Sequence, residues 1–232
     1  CQQAVESALA LGYRHVDTAE MYGNEDAVGA AIAATHLPRG EIFLTTKIWN
    51  DKPNGAAIRR AFDASHKRLA TPYVDLLLIH WPSPELDLPD ALKALAAIRA
   101  EGRAKAIGVS NFPPGLLQRA IDAGEKLAAL QVEFHVMLDQ SKLLGITRAN
   151  GMALTAYTPL AKGGNLDTPA MRAVAKKHGG TVAQVALAWL LAQDGVAMVP
   201  KAASPARQRE NLGALNIKLD ADDLAAIAAL PK

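Results

Sequence analysis

Cysteine is nearly absent from this 232-residue chain, with Cys1 the only one. No internal disulfide can form, a Cys-X-X-Cys metal site is excluded, and the usage fits a reducing compartment. An excess of charge of one sign is also missing. Lys and Arg number 25 against 23 Asp and Glu, for a formal net charge of +2. There is no basic block or stripe of the kind that nucleic acid or an anionic membrane surface needs. No apolar run approaches the roughly 18–20 residues that a bilayer-crossing helix requires. Val185 to Leu191 is apolar but short, and reads as a buried helix. The opening residues, Cys1 to Glu6, lack the basic region and long apolar core of a secretory signal. Gly12, Gly23 and Gly29 form no G-x-G-x-x-G, so a Rossmann fingerprint is excluded. A cytoplasmic location, with neither nucleic acid nor membrane as partner, is expected, and a monomer.

What is present is regular. Half of the residues are hydrophobic, and no composition shift or long linker divides the chain, so one domain spanning 1–232 is expected. Apolar periodicity predicts helices at about 2–11, 24–34, 55–69, 89–101, 114–123, 139–150, 168–178, 181–193, 204–213 and 221–229. Strand cores fall at about 13–16, 42–46, 75–79, 104–108, 128–132, 153–156 and 196–199. Runs such as Leu76-Leu77-Leu78-Ile79 are continuous rather than alternating, which suits a parallel sheet buried on both faces. Asn24 reads as an N-cap, Lys52-Pro53-Asn54-Gly55 as a turn, and Lys162-Gly163-Gly164-Asn165 as a mobile loop. Seven strands and an opening helix leave two architectures, an open sheet or a (β/α)8 barrel whose first strand precedes Cys1. The second is preferred, because polar residues stand at the ends of strands around the whole set.

Those polar ends carry the chemistry. Asp17 follows Tyr13-Arg14-His15-Val16, Lys47 closes the run from Ile42 to Thr46, and His80 closes that from Val74 to Ile79. Tyr22 lies in the loop just after Asp17. In parallel α/β proteins the carboxyl ends of strands converge on one site. A phenol is a poor acid at neutral pH, and an ammonium beside it favours its ionised form. Lys47 is the candidate ammonium, and Asp17 the carboxylate that would hold it. Tyr22 would then exchange a proton with a carbonyl or alcohol oxygen, and His80 would orient that oxygen. No side chain supplies hydride, so a cofactor is required. The segment Val199 to Asn211 offers an anion site for it. A helix begins there near Ser204, with Lys201 before it and Arg207 one turn in. His15 and His135 read as structural histidines, and Trp189 as core.

These residues resemble the aldo-keto reductases, near bacterial 2,5-diketo-D-gluconate reductases. The matching segments are Gly12 to Ala19 with Tyr22-Gly23-Asn24-Glu25, Leu44 to Lys47, Tyr73 to Pro82 and Gly108 to Phe112. Gln131 to His135, Ala156 to Leu160 and Lys201 to Asn211 complete the set. The resemblance implies a (β/α)8 barrel that reduces aldehydes and ketones with NADPH. It implies that Asp17, Tyr22, Lys47 and His80 are catalytic, with Tyr22 the proton donor. It places Ser110, Asn111 and Gln131 on the nicotinamide carboxamide and Tyr157 on its ring. Thr158 and Leu160 fall at the pyrophosphate, Lys201, Ala202 and Arg207 at the 2′-phosphate, and Glu210 and Asn211 at the adenine. Trp49, Trp81 and Phe112 would line the substrate pocket. The expected substrates are small aldehydes, 2-oxoaldehydes or keto sugars such as 2,5-diketogluconate, and no metal is implied. Against the family pattern, the first strand, the N-terminal hairpin and a C-terminal tail are expected to be missing. Ala202 stands where a hydroxyl residue is common, and Val136 where proline is usual. The competing reading is an NADPH-binding barrel with little catalysis that serves as a redox-sensing subunit.

Overall fold

The computed structural model describes residues 1–164 and 166–231. Asn165, the end of the expected loop, lies outside the described residues. Helix α1 (Gln2–Leu11) leads to strand β1 (His15–Asp17), α2 (Glu25–Ala34) to β2 (Phe43–Ile48), α3 (Gly55–Leu69) to β3 (Val74–Ile79), and α4 (Leu88–Ala100) to β4 (Ala104–Ser110). Then come α5 (Pro114–Asp122), β5 (Ala129–Glu133), α6 (Ser141–Ala149), β6 (Ala153–Tyr157), α7 (Pro169–Lys177), α8 (Val182–Leu191), β7 (Val196–Met198), α9 (Pro205–Leu212) and α10 (Ala221–Ala228). The order is the one the apolar pattern predicts, and element ends differ from it by at most about two residues.

Contacts divide the chain into two units, Cys1–Leu130 with Ala149–Met152 and Gln131–Arg148 with Ala153–Lys232. In the first unit the strands lie in the order β1-β2-β3-β4, followed by the start of β5. Neighbours run parallel, with His15 opposite Phe43, Lys47 opposite Leu78, and Leu78 opposite Gly108. Parallel neighbours need crossover connections, which α2, α3 and α4 supply. Leu76, Leu77, Leu78 and Ile79 are all buried, so β3 is covered on both faces, as its unbroken apolar run requires. Leu76 and Leu78 pack with Ala106 and Ala129. A Cβ at Gly108 would press into the Ala129 carbonyl oxygen and come 2.9 Å from Leu78 Cδ2, so β4 needs glycine there. At the strand entrances, Arg39 Nη2 donates to Tyr73 O at 2.7 Å and to Asp75 Oδ2 at 2.8 Å. The Leu44 N–H donates to the same Asp75 oxygen at 2.9 Å, tying β2 to β3.

In the second unit β6 pairs with β7 in parallel, Leu154 opposite Val196 and Ala156 opposite Met198. Trp189 is buried in apolar α8, as expected, with its ring 5.3 Å from that of Phe134. Ser204 caps α9 by accepting the Arg207 N–H at 3.4 Å.

The structure adds detail at two helix starts. Asn24 holds the position before α2 but makes no side-chain cap; its Oδ1 accepts the Thr18 hydroxyl at 2.9 Å instead. The segment Lys52-Pro53-Asn54-Gly55, read as a turn, leads into α3 at Gly55 with Asn54 as its N-cap. Asn54 Oδ1 accepts the Ala57 N–H at 3.0 Å, and Gly55 N–H donates to Asp90 Oδ2 at 2.8 Å.

Candidate functional site

Asp17 ends β1, Lys47 is the penultimate residue of β2, and His80 directly follows β3. Tyr22 closes a 3-10 turn, Glu20–Tyr22. Lys47 is fully buried. Its ammonium donates to Asp17 Oδ1 and, at 2.9 Å, to the Thr18 carbonyl. Those partners offset the cost of removing the charge from water. Lys47 Nζ stands 5.1 Å from the centroid of the Tyr22 ring, and Tyr22 is about half exposed (49%).

His80 is held on several sides. Its N–H donates to Ile48 O at 2.9 Å, and its carbonyl accepts Asn111 Nδ2 at 3.0 Å. Its ring stands edge-on to Tyr22, 5.6 Å between centroids, and to Trp49, 5.1 Å. Burial, aided by the Lys47 charge and opposed by Asp17, pushes the imidazole down to about 4. The ring is therefore neutral at pH 7. His80 Nδ1 is buried and has no hydrogen-bond partner among the described residues. A neutral imidazole carries one ring proton, and on Nε2 that proton would make the ring a hydrogen-bond donor.

Two carboxylates of this region were not singled out as functional in the sequence. Glu20 Oε2 accepts the Trp49 N–H at 3.0 Å, and Glu20 Oε1 lies 3.3 Å from Lys52 Nζ. Glu25 is fully buried, accepting Thr46 Oγ1 at 2.5 Å and Arg68 Nη2 at 2.7 Å. No local spacing announces either one, because Trp49 is 29 residues from Glu20 and Arg68 is 43 from Glu25.

The remaining residues fall in both units. In the first, Ser110 is buried at the end of β4. Asn111, at φ 61°, donates from Nδ2 to Ser110 Oγ at 3.0 Å. Trp81 is 41% exposed, whereas Phe112 is wholly buried and so backs the surface rather than lining it. In the second, Gln131 is buried in β5 and Tyr157 ends β6. Thr158 has φ 50°, and Leu160 precedes a short turn, Ala161–Gly163. Left-handed non-glycine residues cost energy and collect at functional positions. Between β7 and α9, Lys201 is exposed, and Ala202 O accepts Gln208 Nε2 at 3.1 Å. Arg207 is exposed with Nη1 3.5 Å from Glu210 Oε2, and Asn211 is buried. The two histidines read as structural, His15 and His135, each meet a nearby polar group. His15 Nε2 meets Thr45 Oγ1 at 2.9 Å, and burial holds its ring below the ordinary range. His135 Nδ1 accepts the Met137 N–H at 3.3 Å.

Known proteins with the same pattern identify the family. A methylglyoxal reductase, DkgB, of Escherichia coli O157:H7 is 40% identical over 231 residues, covering 98% of this chain and 86% of the relative. A solved structure described as a candidate 2,5-diketo-D-gluconic acid reductase B superposes with a TM-score of 0.96 at 39% identity, covering 100% of this chain and 83% of that one. A variant of Gox0644 solved with NADPH gives 0.91 at 37% identity, with 100% and 84% covered. The architecture is accordingly α/β of the (β/α)8 barrel type, with seven strands among the described residues. The sequence profile described as "Aldo/keto reductase family" matches residues 1–232. The chain therefore belongs to the aldo-keto reductases, oxidoreductases that act on carbonyl groups.

Proposed function

We propose that this chain reduces small aldehydes, 2-oxoaldehydes or keto sugars with NADPH, Tyr22 serving as general acid. The observation that carries the reading is the cluster of Tyr22, Lys47, Asp17 and His80. An exposed phenol stands over a buried, charge-paired ammonium and beside a neutral imidazole. Tyr22 donates its hydroxyl proton to the carbonyl oxygen as that oxygen becomes an alkoxide. The Lys47 charge stabilises the negative charge left on the phenol, and Asp17 keeps Lys47 in place. His80, protonated on Nε2, donates a hydrogen bond to the same oxygen and orients it. Trp49 and Trp81 border the substrate.

The residues present fit an anionic dinucleotide. Lys201 and Arg207 are exposed cations at the capped start of α9, where free N–H groups favour phosphate, and Ala202 contributes backbone only. Glu210 and Asn211 follow for the adenine. Ser110, Asn111 and Gln131 offer amide and hydroxyl groups for a carboxamide, Tyr157 a ring to stack, and Thr158 and Leu160 the pyrophosphate contacts. NADPH, when bound, supplies the hydride. The Gox0644 variant solved with NADPH and the E. coli methylglyoxal reductase support cofactor and substrate class. A cytoplasmic location accords with the single cysteine.

The test is NADPH oxidation with methylglyoxal as substrate. Tyr22→Phe should lower kcat by about 100-fold or more, since general acid catalysis contributes roughly 10²–10⁴-fold. Tryptophan quenching by NADPH should persist in that variant. Turnover retained by Tyr22→Phe would remove Tyr22 as the acid, and binding of NADPH without reduction of any carbonyl would favour a sensing role.

A further inference from the structure

We infer that Glu20 is a positioning residue that clasps Tyr22 and Trp49 against the His80 ring and so sets the fit of bulky carbonyl substrates. The inference rests on the proposed reduction chemistry of this site. Glu20 opens the 3-10 turn that Tyr22 closes. The turn is tight, with the Tyr22 N–H donating to Ala19 O at 3.1 Å and the Gly23 N–H to Glu20 O at 3.2 Å. From this turn the Glu20 carboxylate reaches the segment leaving β2. One oxygen accepts the backbone N–H of Trp49 at 3.0 Å, and the other meets Lys52 Nζ at 3.3 Å. Lys52 is held by Asp51 as well. One carboxylate thereby joins the two segments whose rings both stand edge-on to His80, at 5.6 Å for Tyr22 and 5.1 Å for Trp49. Glu20 touches none of the reacting groups. It controls where the Trp49 backbone lies, and with it the ring that a substrate would pack upon. The Lys52 ion pair is partly exposed and contributes little, whereas the Trp49 N–H loses its acceptor if the carboxylate is removed.

Replacement separates the two roles of the carboxylate. Glu20→Gln keeps an oxygen for the Trp49 N–H and loses the charge; Glu20→Ala loses both. With 4-nitrobenzaldehyde, Glu20→Ala should raise KM about tenfold while kcat falls less than about threefold. KM for methylglyoxal, too small to pack broadly on Trp49, should change less than about twofold. Glu20→Gln should stay within about twofold of the parent on both substrates. An equal loss on both substrates, or a Gln variant as impaired as the Ala variant, overturns the inference. A second readout is independent of turnover. In protein carrying 5-fluorotryptophan, the ¹⁹F resonance of Trp49, assigned by Trp49→Phe, should shift in Glu20→Ala and stay in place in Glu20→Gln. An unmoved resonance in Glu20→Ala also overturns the clasp. If the unaltered protein reduces neither substrate, the proposed chemistry fails, while the fluorine spectrum still decides on the clasp.

Discussion

Lowering the pH should destabilise this protein through His80, by an amount that can be worked out. The imidazole is displaced from its ordinary value of 6.5 to about 4, first by burial and then by the Lys47 charge, with Asp17 in partial opposition. Above pH 6.5 the ring is neutral both folded and unfolded, and stability does not depend on it. Between 6.5 and 4 the unfolded chain binds the proton and the folded one does not, so stability falls as the pH falls. For these two values the loss is about 1.4 kcal/mol at pH 5.5 and about 2.5 kcal/mol at pH 4.5, approaching about 3.4 kcal/mol below pH 4. The chain holds five more histidines, so the pH profile of the parent alone does not isolate His80. The informative quantity is therefore the difference in urea unfolding free energy between the parent and His80→Gln, followed from pH 7.5 to 4.5 by circular dichroism. The substitution imposes a constant offset for lost packing and removes the titration. The offset should shrink by about 2–2.5 kcal/mol over that range. A difference constant to within about 0.5 kcal/mol would mean that His80 titrates at its ordinary value, and burial beside Lys47 would not be lowering its basicity.

Two further outcomes are expected. Arg207→Ala should raise KM for NADPH about tenfold or more and leave that for NADH nearly unchanged, because a hydrogen bond to a charged group contributes about 1.5–3 kcal/mol; steady-state kinetics with both cofactors checks this, and an equal effect on the two would remove Arg207 from the 2′-phosphate. Gly108→Ala should cost about 1–3 kcal/mol of stability, since its Cβ has the Ala129 carbonyl oxygen in its way and Leu78 Cδ2 at 2.9 Å, and a melt unchanged from the parent would show that β4 and β5 can separate at no cost.

Backbone periodicity made much of this molecule legible. Continuous apolar runs bounded by glycines placed the strands, and a parallel strand delivers its last side chains to the same end as its neighbour's. Asp17, Lys47 and His80 could be assigned to strand ends for that reason, and the register of Lys47 opposite Leu78 follows it. Asn24 is the N-cap residue of α2 as read, but a side-chain acceptor next to a helix can serve either the helix or another donor, and here the Thr18 hydroxyl takes it. Phe112 reads identically in sequence whether it borders a pocket or fills the core, and only packing decides that it is fully buried.

What periodicity does not report is the electrostatic state of the side chains it places. Lys47 is fully buried, and its ammonium donates to the Asp17 carboxylate and the Thr18 carbonyl, the latter a backbone group with no residue-type signature. His80 loses its ordinary basicity to burial and to that same ammonium, so pairing Lys47 with Asp17 also tempers the repulsion His80 feels. The three groups are thus one electrostatic unit: Asp17 pairs with the ammonium near the Tyr22 ring, and the ammonium helps hold the imidazole neutral beside it. A residue pattern can nominate an acid and its neighbours. Which neighbour is paired and which is held neutral follows from burial and from contacts about 30 residues apart in the chain.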